Sequence, residues 1–262
     1  MKSNIYISLL FVIVFSLNSC KQQETISDMN IIFLHHSTGN VIWKGTSKGK
    51  KADLNLLFND YNKEFNKNYL IKEKEFPKAS PYGWKNYPFD YYNIWVKNAG
   101  DKPFMEEPTL EILTKDYEVI IFKHCFPVSN IQADNNTGDI NSETKTISNY
   151  KLQYNSLRDK LHQFSDTKFI LFTGAVQVQS TLSEDEAKRM KEFYDWVINE
   201  WDLPEDNIYL WDLYILQTEG GLYFKDESAV SKHDSHPNAK FAGRIVKLLF
   251  NRIIDVIEND GR

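Results

Sequence analysis

Three polar side chains near opposite ends of the chain have the chemistry of an activated serine. Ser37 lies in the segment NIIFLHHSTGN (30–40), and Asp234 and His236 lie in KHDSHPN (232–238). A serine hydroxyl is a weak nucleophile until a base accepts its proton, a task that suits histidine, and a carboxylate fixes the tautomer of that histidine. The sequence therefore predicts Ser37 as nucleophile, His236 as general base and Asp234 as the acid that orients His236.

The elements that must position these residues alternate between strands and helices. Short apolar runs predict strands, and apolar residues at helical spacing predict helices. The predicted strands are 30–35, 69–76, 117–122, 168–173 and 207–214, and the predicted helices are 52–65, 144–164, 183–200 and 238–258. Strands that are apolar throughout, rather than alternating, are typical of a parallel sheet covered on both faces. We therefore expect one doubly wound α/β domain with about five strands.

The predicted topology brings the chemical residues to one edge of the sheet. In open α/β sheets the crevice lies beyond the carboxyl ends of the strands. Ser37 follows the first predicted strand, and Pro237 with the candidate helix cap Asn238 holds His236 at the mouth of the loop before the last helix. The turn after the first strand and the loop before the last helix can be neighbours in the fold although they are far apart in sequence.

Composition places the chain among ordinary globular proteins. Of its 262 residues, 42% are apolar and 26% are charged, and the net charge is −5. Acids and bases are mixed and no basic block occurs, so a nucleic-acid partner is not expected. The length allows one substantial domain, which we place at 30–262.

The N-terminus has the pattern of an export signal. Lys2 precedes an apolar stretch from Ile5 to Leu17, which is shorter than the roughly 20 residues of a membrane span. The following SLNSC resembles the lipobox of bacterial lipoproteins, with Cys20 as the lipidated residue; the alternative is a plain secretory signal with a chance cysteine. We expect a signal peptide at 1–19, a lipid-anchored tether at 20–29, and an exported protein held on a bacterial membrane at its periplasmic or cell-surface face.

The serine after the first strand and the Asp/His pair before the last helix resemble the SGNH (GDSL-type) hydrolase superfamily. The resemblance implies a three-layer α/β/α, flavodoxin-like fold and a serine esterase that needs no metal or other cofactor. It also implies a small acyl ester or an acylated glycan as substrate. Its nucleophile, base and acid fall on Ser37, His236 and Asp234. The family usually spaces its acid three residues before the histidine, where this chain has His233.

The resemblance also implies oxyanion donors and a binding surface. The family uses a backbone N–H near the nucleophile, a glycine after the second strand and an asparagine after the third. Gly100 is the nearest glycine; Asn130 comes late after the third strand, so Ser129 or Cys125 are alternatives. Family members usually have Asp before the nucleophile, where this chain has His36.

The loop PYGWKNYPFDYYNIW (81–95) is rich in aromatic residues. Its rings either form a small hydrophobic cluster beneath the loop or are exposed and stack on sugars. We expect His36, Trp84 and Tyr87 to contact the substrate.

Two other functions remain open at this stage. A non-catalytic, glycan-binding surface lipoprotein on a hydrolase-like scaffold fits the missing asparagine and the shifted Asp234. The second function is metal-dependent hydrolysis at the histidines, with Cys125 as a further candidate ligand, because histidine and cysteine are common zinc ligands. No zinc-binding spacing occurs here, so no metal is predicted. Cys125 itself is more typical of a buried, inert thiol than of a nucleophile.

Overall fold

The computed structural model describes residues 28–47, 50–51, 53–83, 85–134 and 137–261. Its strands, in chain order, are β1 Asp28–His35, β2 Thr46–Ser47, β3 Lys50–Lys51, β4 Asn68–Glu75, β5 Val119–Phe122, β6 Lys168–Phe172, β7 Ile208–Trp211, β8 Ala229–Ser231 and β9 Asp234–Pro237. Its α-helices are α1 Ser37–Lys44, α2 Leu54–Phe65, α3 Pro88–Tyr92, α4 Leu110–Asp116, α5 Ile147–Leu161, α6 Glu184–Trp196, α7 Leu213–Thr218 and α8 Ala239–Asn259.

Five parallel strands form the central sheet, in the order β4-β1-β5-β6-β7. The apolar run of β1 explains its central place, because Ile31, Phe33 and Leu34 are 0% exposed and need cover on both faces. Phe33 pairs with Ile121 on β5, and Ile121 pairs with Ile170 on β6. This is the flavodoxin-like strand order, so the predicted doubly wound α/β fold is confirmed.

The helices cover both faces of the sheet in two groups. Helices α1, α2 and α8 pack together, and α3, α5 and α6 form the other group. Side-chain caps set several helix starts: Ser183 and Glu186 form the predicted capping box of α6, and Asn238 accepts the Phe241 N–H (2.9 Å) to begin α8. Within the described ranges, no helix is long and apolar enough to cross a membrane.

The strand order places a crevice beside β1. The chain leaves β1 toward β4 on one side and returns to β5 on the other. In open α/β sheets, ligand sites lie where the strand order reverses, which here is beyond the carboxyl ends of β1 and β5. Ser37 follows β1 directly, which puts it at this switch point.

Several local elements differ from the prediction. Helices α1 and α4 lie in segments where no helix was predicted. The aromatic segment 81–95, which was predicted as a loop, contains α3 and the start of a π-helical turn over Asn93–Lys97. The predicted strand 207–214 stops at Trp211 because Asp212 caps α7 by accepting the Ile215 N–H (3.1 Å). The predicted loop before the last helix contains the antiparallel hairpin β8–β9.

Candidate active site

Ser37 lies on a tight turn between β1 and α1. It is the first residue of α1 and has a φ of 32°, which is uncommon for a residue with a side chain. Gly39 makes the turn possible, because a Cβ at this position would lie 2.4 Å from Cβ of His35. The Gly39 N–H donates to the His36 carbonyl (2.6 Å), which closes the turn. The geometry holds the serine at the edge of the crevice.

The backbone N–H of Ser37 is a ready donor. The first amides of an α-helix have no acceptor within the helix, and they lie at its positive end. Since Ser37 is the first residue of α1, its N–H has no acceptor within the helix. A negative charge that develops on a group bonded to Ser37 Oγ can therefore be stabilised by this amide.

The hairpin β8–β9 brings His236 to Ser37. His236 lies within β9, and Ser231 on β8 pairs with Asp234. The hydroxyl Oγ of Ser37 lies 2.6 Å from Nε2 of His236, although the two residues are 199 positions apart. The hairpin is itself held down, because buried Ser235 accepts the Val178 N–H with its Oγ (3.0 Å).

Asp234 contacts the other side of the imidazole. Its Oδ1 lies 2.6 Å from Nδ1 of His236 and also accepts the His236 backbone N–H at 3.0 Å. These hydrogen bonds, the backbone one first, lower the pKa of Asp234 below its ordinary value. A carboxylate only accepts, so Nδ1 carries the proton and Nε2 presents its lone pair to the Ser37 hydroxyl.

The acid reaches the imidazole in spite of its shifted position in the sequence. His233, which occupies the usual place of the acid, is exposed, and its Nδ1 lies 3.1 Å from Oγ of Ser180. Asp234 reaches the imidazole instead because the β9 backbone is extended and its carboxylate folds back on the residue two positions later. The ring of Phe126, at the start of the short turn Phe126–Ser129 that follows β5, contacts His236 edge-on with 5.2 Å between centroids.

A groove opens beside Ser37. It encloses about 510 Å³ and is lined by Ser37 and His236, by His35, His36, Asn40 and Val41, and by Glu73, Lys74 and Glu75 of β4. His36 is 5% exposed: Nε2 donates to the Pro77 carbonyl, and Nδ1 lies 3.1 Å from Oε1 of Glu75. Burial lowers the pKa of His36. His36 thus forms part of the groove wall, with its ring nitrogens turned to protein acceptors.

The two predicted oxyanion residues are engaged elsewhere. The Gly100 N–H donates to Oε2 of Glu111 (3.1 Å). The Asn130 amide donates to Oε1 of Glu186 (3.4 Å), and its Oδ1 accepts from Nε2 of Gln177 (3.3 Å). Neither residue lines the groove at Ser37. Contrary to the prediction, the structure does not bring them to the nucleophile.

The aromatic loop packs into the core instead of forming an open platform. Tyr87 is 1% exposed, its hydroxyl donates to the Glu143 carbonyl (3.0 Å), and its ring stacks against Phe89. A buried ring has no face free for a sugar, contrary to the prediction for Tyr87. Trp84 and the lipidation residue Cys20 lie outside the described residues.

Cys125 and the histidines form no recognisable metal centre in the described part of the chain. Cys125 is 2% exposed, and its N–H donates to the Asn86 carbonyl (3.0 Å). Within the described ranges, no group of three or more His, Cys, Asp or Glu side chains has the geometry of a metal site.

The sequence analysis missed several residues of the site, among them Asn40 and Phe126. Asn40 lines the groove one helical turn after Ser37, and Phe126 contacts His236. Asn40 would have been found if α1 had been predicted, because residues three apart share a helix face. No local signal in the sequence indicates the contact of Phe126 with His236.

Comparison with solved structures finds similar proteins of low sequence identity. One is a family two carbohydrate esterase from Cellvibrio japonicus, at 12% identity and a TM-score of 0.44; the match covers 89% of this chain, which spans 63% of that protein. Another is the lipase Lip_vut3 from a goat rumen metagenome, at 10% identity and a TM-score of 0.44, over 84% of this chain and 95% of that one. No family model and no curated protein matches the sequence.

A third similar structure is a carbohydrate esterase whose active site is described as having divergent catalytic and non-catalytic binding functions. It shares 15% sequence identity with this chain at a TM-score of 0.40, and the match covers 87% of this chain and 65% of that protein.

Proposed function

We propose that this protein is a serine-dependent ester hydrolase. The observation that carries the proposal is the 2.6 Å contact between Oγ of Ser37 and Nε2 of His236, with Asp234 Oδ1 2.6 Å from Nδ1 of the same ring. A hydroxyl, an imidazole and a carboxylate hydrogen-bonded in this order form the arrangement that serine hydrolases use. The Asp234 contact favours the enzyme over a non-catalytic binder, because the spacing of this acid was one ground for the binder.

The first half of the reaction transfers the acyl group to the enzyme. Ser37 Oγ forms a bond to the carbonyl carbon while its proton moves to Nε2 of His236, and the C=O electron pair moves onto the carbonyl oxygen. The Ser37 N–H stabilises this oxyanion. The C–O bond to the alcohol then breaks, and the departing oxygen takes the proton from His236.

The second half returns the serine. His236 accepts a proton from water, and the water oxygen attacks the carbonyl carbon of the acyl-serine. Collapse of the second tetrahedral intermediate breaks the bond to Ser37 Oγ, which regains its proton from His236. The products are the free alcohol and a carboxylic acid. Asp234 remains ionised throughout and stabilises the imidazolium that forms twice in the cycle.

The groove favours a small acyl ester of a polar alcohol, such as an acylated carbohydrate. Among its lining side chains, only Val41 is apolar. Glu73 and Glu75 are 34% and 61% exposed, so their carboxylates can accept hydrogen bonds from hydroxyl groups. A long aliphatic chain would leave these charged groups desolvated and without partners, which is unfavourable.

The Ser37→Ala variant tests the proposed function. Hydrolysis of p-nitrophenyl acetate should fall to the background rate, because no nucleophile remains. The melting temperature should stay within about 2 °C, since a half-buried hydroxyl at a turn contributes little to stability. Equal hydrolysis by the wild type and the variant would rule out the serine mechanism.

We further propose, from the sequence, that the protein is exported and anchored to a bacterial membrane by acyl chains on Cys20. Metabolic labelling with an alkynyl fatty acid tests this proposal. Wild-type protein should carry the label, and a Cys20→Ala variant should lack it. A labelled Cys20→Ala variant would contradict the anchor at this residue.

A further inference from the structure

The groove at Ser37 lacks the side-chain donor that the sequence analysis assigned to Asn130. With the amides of Gly100 and Asn130 bonded to Glu111 and Glu186, the Ser37 N–H is the first donor available to an oxyanion. One donor is weak support for an acyl-transfer intermediate, because each additional donor contributes roughly 10²–10³ in rate. A second donor is therefore to be sought among the residues that line the groove.

Asn40 is placed to be that donor. It lies in α1 three residues after Ser37 and lines the same groove as Ser37 and His236. Side chains three apart lie on one helix face, and each helical side chain leans toward the N-terminal end of its helix. The Asn40 amide therefore extends back toward the first turn of α1, where the Ser37 N–H lies.

The donors of the Asn40 side chain are also available to a ligand. It is half-buried, and no hydrogen bond joins its amide to another described residue. Its NH₂ group supplies two donors without a charge. In contrast, Nε2 of His35 lies 3.0 Å from Oε2 of Glu73, and the ring nitrogens of His36 face Glu75 and the Pro77 carbonyl. Nδ1 of His35 is buried, so it is not open to the groove.

Lys74 is the rival donor in the groove. Its ammonium lies on β4, which is the strand beside β1 at the edge of the sheet. Lys74 is attracted to the buried carboxylate of Glu107, which gives its ammonium an electrostatic partner other than an oxyanion at Ser37.

We propose that the Asn40 side-chain amide is the second oxyanion donor and acts together with the Ser37 N–H. The inference rests on the proposed esterase function. In the tetrahedral intermediate, the carbonyl oxygen accepts both N–H groups, and no proton is transferred from either. Asn40 thus takes the role of the side-chain donor that Asn130 does not supply.

Two substitutions of Asn40 test the proposal with p-nitrophenyl acetate as substrate. Asn40→Asp keeps the shape but loses the donors, and Asn40→Ala removes the amide. Both should lower kcat about 100-fold or more and leave KM within about threefold, because the interaction exists only in the intermediate. The exposed Asn59→Ala in α2 is the matched control and should retain wild-type kcat.

Other outcomes would overturn the assignment. Wild-type kcat and KM in both Asn40 variants would mean that Asn40 has no role in the reaction. A raised KM with an unchanged kcat would mean that Asn40 only binds the substrate in its ground state. A 100-fold loss in Lys74→Met with none in Asn40→Ala would assign the donor to Lys74. Activity that requires Ser37 but not Asn40 would leave the proposed function standing, whereas a wild type without esterase activity would remove both proposals.

Discussion

Ser37, Asp234 and His236 lie at the rim of the sheet, and Lys123 and His124 lie directly after β5 in the interior. In the rim group, each side chain has a partner, and His236 and Asp234 are 35% and 46% exposed. In the interior pair, both side chains are 0% exposed, and within the described chain Nζ of Lys123 and Nδ1 of His124 lack hydrogen-bond partners. The proposed catalytic groups are thus hydrogen-bonded and accessible to solvent. The interior atoms Nζ of Lys123 and Nδ1 of His124 are neither, although Nε2 of His124 lies 2.7 Å from the Tyr154 hydroxyl.

The difference separates chemistry from stability. Holding a polar group at the solvent-exposed rim costs little free energy, so the proposed triad can be arranged for proton transfer. A buried amine without a partner costs free energy, of the order of 1–3 kcal/mol for a neutral group. Burial accordingly lowers the pKa of both Lys123 and His124. We expect substitutions at the rim to change activity and substitutions in the interior pair to change stability.

The largest expected effect is at His236. His236→Ala removes the base and should lower kcat/KM about 10³–10⁴-fold, with little change in melting temperature. His233→Ala, three residues earlier and exposed, is the matched control and should keep wild-type kinetics. An equal loss in both variants would indicate damage to the hairpin rather than removal of a base.

The next effect is acid sensitivity caused by His124. Its folded pKa is lowered to about 3 by burial beside Lys123, against 6.5 in the unfolded chain. Below pH 6.5 His124 is therefore protonated in the unfolded chain but not in the folded chain, so the free energy of unfolding falls as pH falls from 6.5 toward 3. The loss from this residue should reach about 2–3 kcal/mol at pH 4.5.

Urea unfolding at pH 7.5 and pH 4.5 measures this loss. A His124→Gln variant should lose less stability between the two pH values than the wild type, and the exposed His233→Gln should lose as much as the wild type. If His124→Gln and the wild type lose equal stability, protonation of His124 is not the cause.

A smaller effect on activity is expected at Asp234. Asp234→Asn keeps the size of the side chain but permits the wrong tautomer of His236, so kcat should fall. Because Asp234 is 46% exposed, water can replace part of its role, and we expect a loss of about 30–100-fold rather than the larger losses seen for buried acids. Steady-state kinetics at pH 8 measure it. A loss as large as that of His236→Ala would mean that Asp234 is indispensable to the base.

The smallest expected effect is a gain in stability at Lys123. Lys123→Met replaces an unpartnered buried amine by an apolar chain of similar length and should raise the free energy of unfolding by about 1–2 kcal/mol. Esterase activity should remain near that of the wild type. A destabilised variant would show that the amine has a favourable role in the interior and would remove the contrast between the two regions.

The fold was largely predictable because the central strands carry a strong signal. The runs at β1, β5 and β6 are apolar throughout, and only a sheet covered on both faces buries such strands completely. The contact between Ser37 and His236 was also predictable, because Ser37 follows one element and His236 precedes another with a clear boundary. The contact of Asp234 with His236 was harder to predict, because it depends on the extended backbone of β9, which the sequence does not reveal.

The parts that were missed depend on tertiary contacts. Helix α1 has only eight residues, and its first turn depends on the close approach of Gly39 to His35. Tyr87 lies in a polar, proline-containing loop, yet packing against Phe89 and Tyr150 buries its ring. Gly100 and Asn130 have suitable residue types, but hydrogen bonds to Glu111 and Glu186 hold them elsewhere.

The central claim is that His236 activates the hydroxyl of Ser37, and covalent labelling tests it most directly. Wild-type protein should react with a fluorophosphonate, and peptide mass analysis should locate the adduct on Ser37. The His236→Ala variant should react at least 100-fold more slowly, because the base no longer accepts the serine proton. An adduct on another residue, or equal labelling rates with and without His236, would contradict the account.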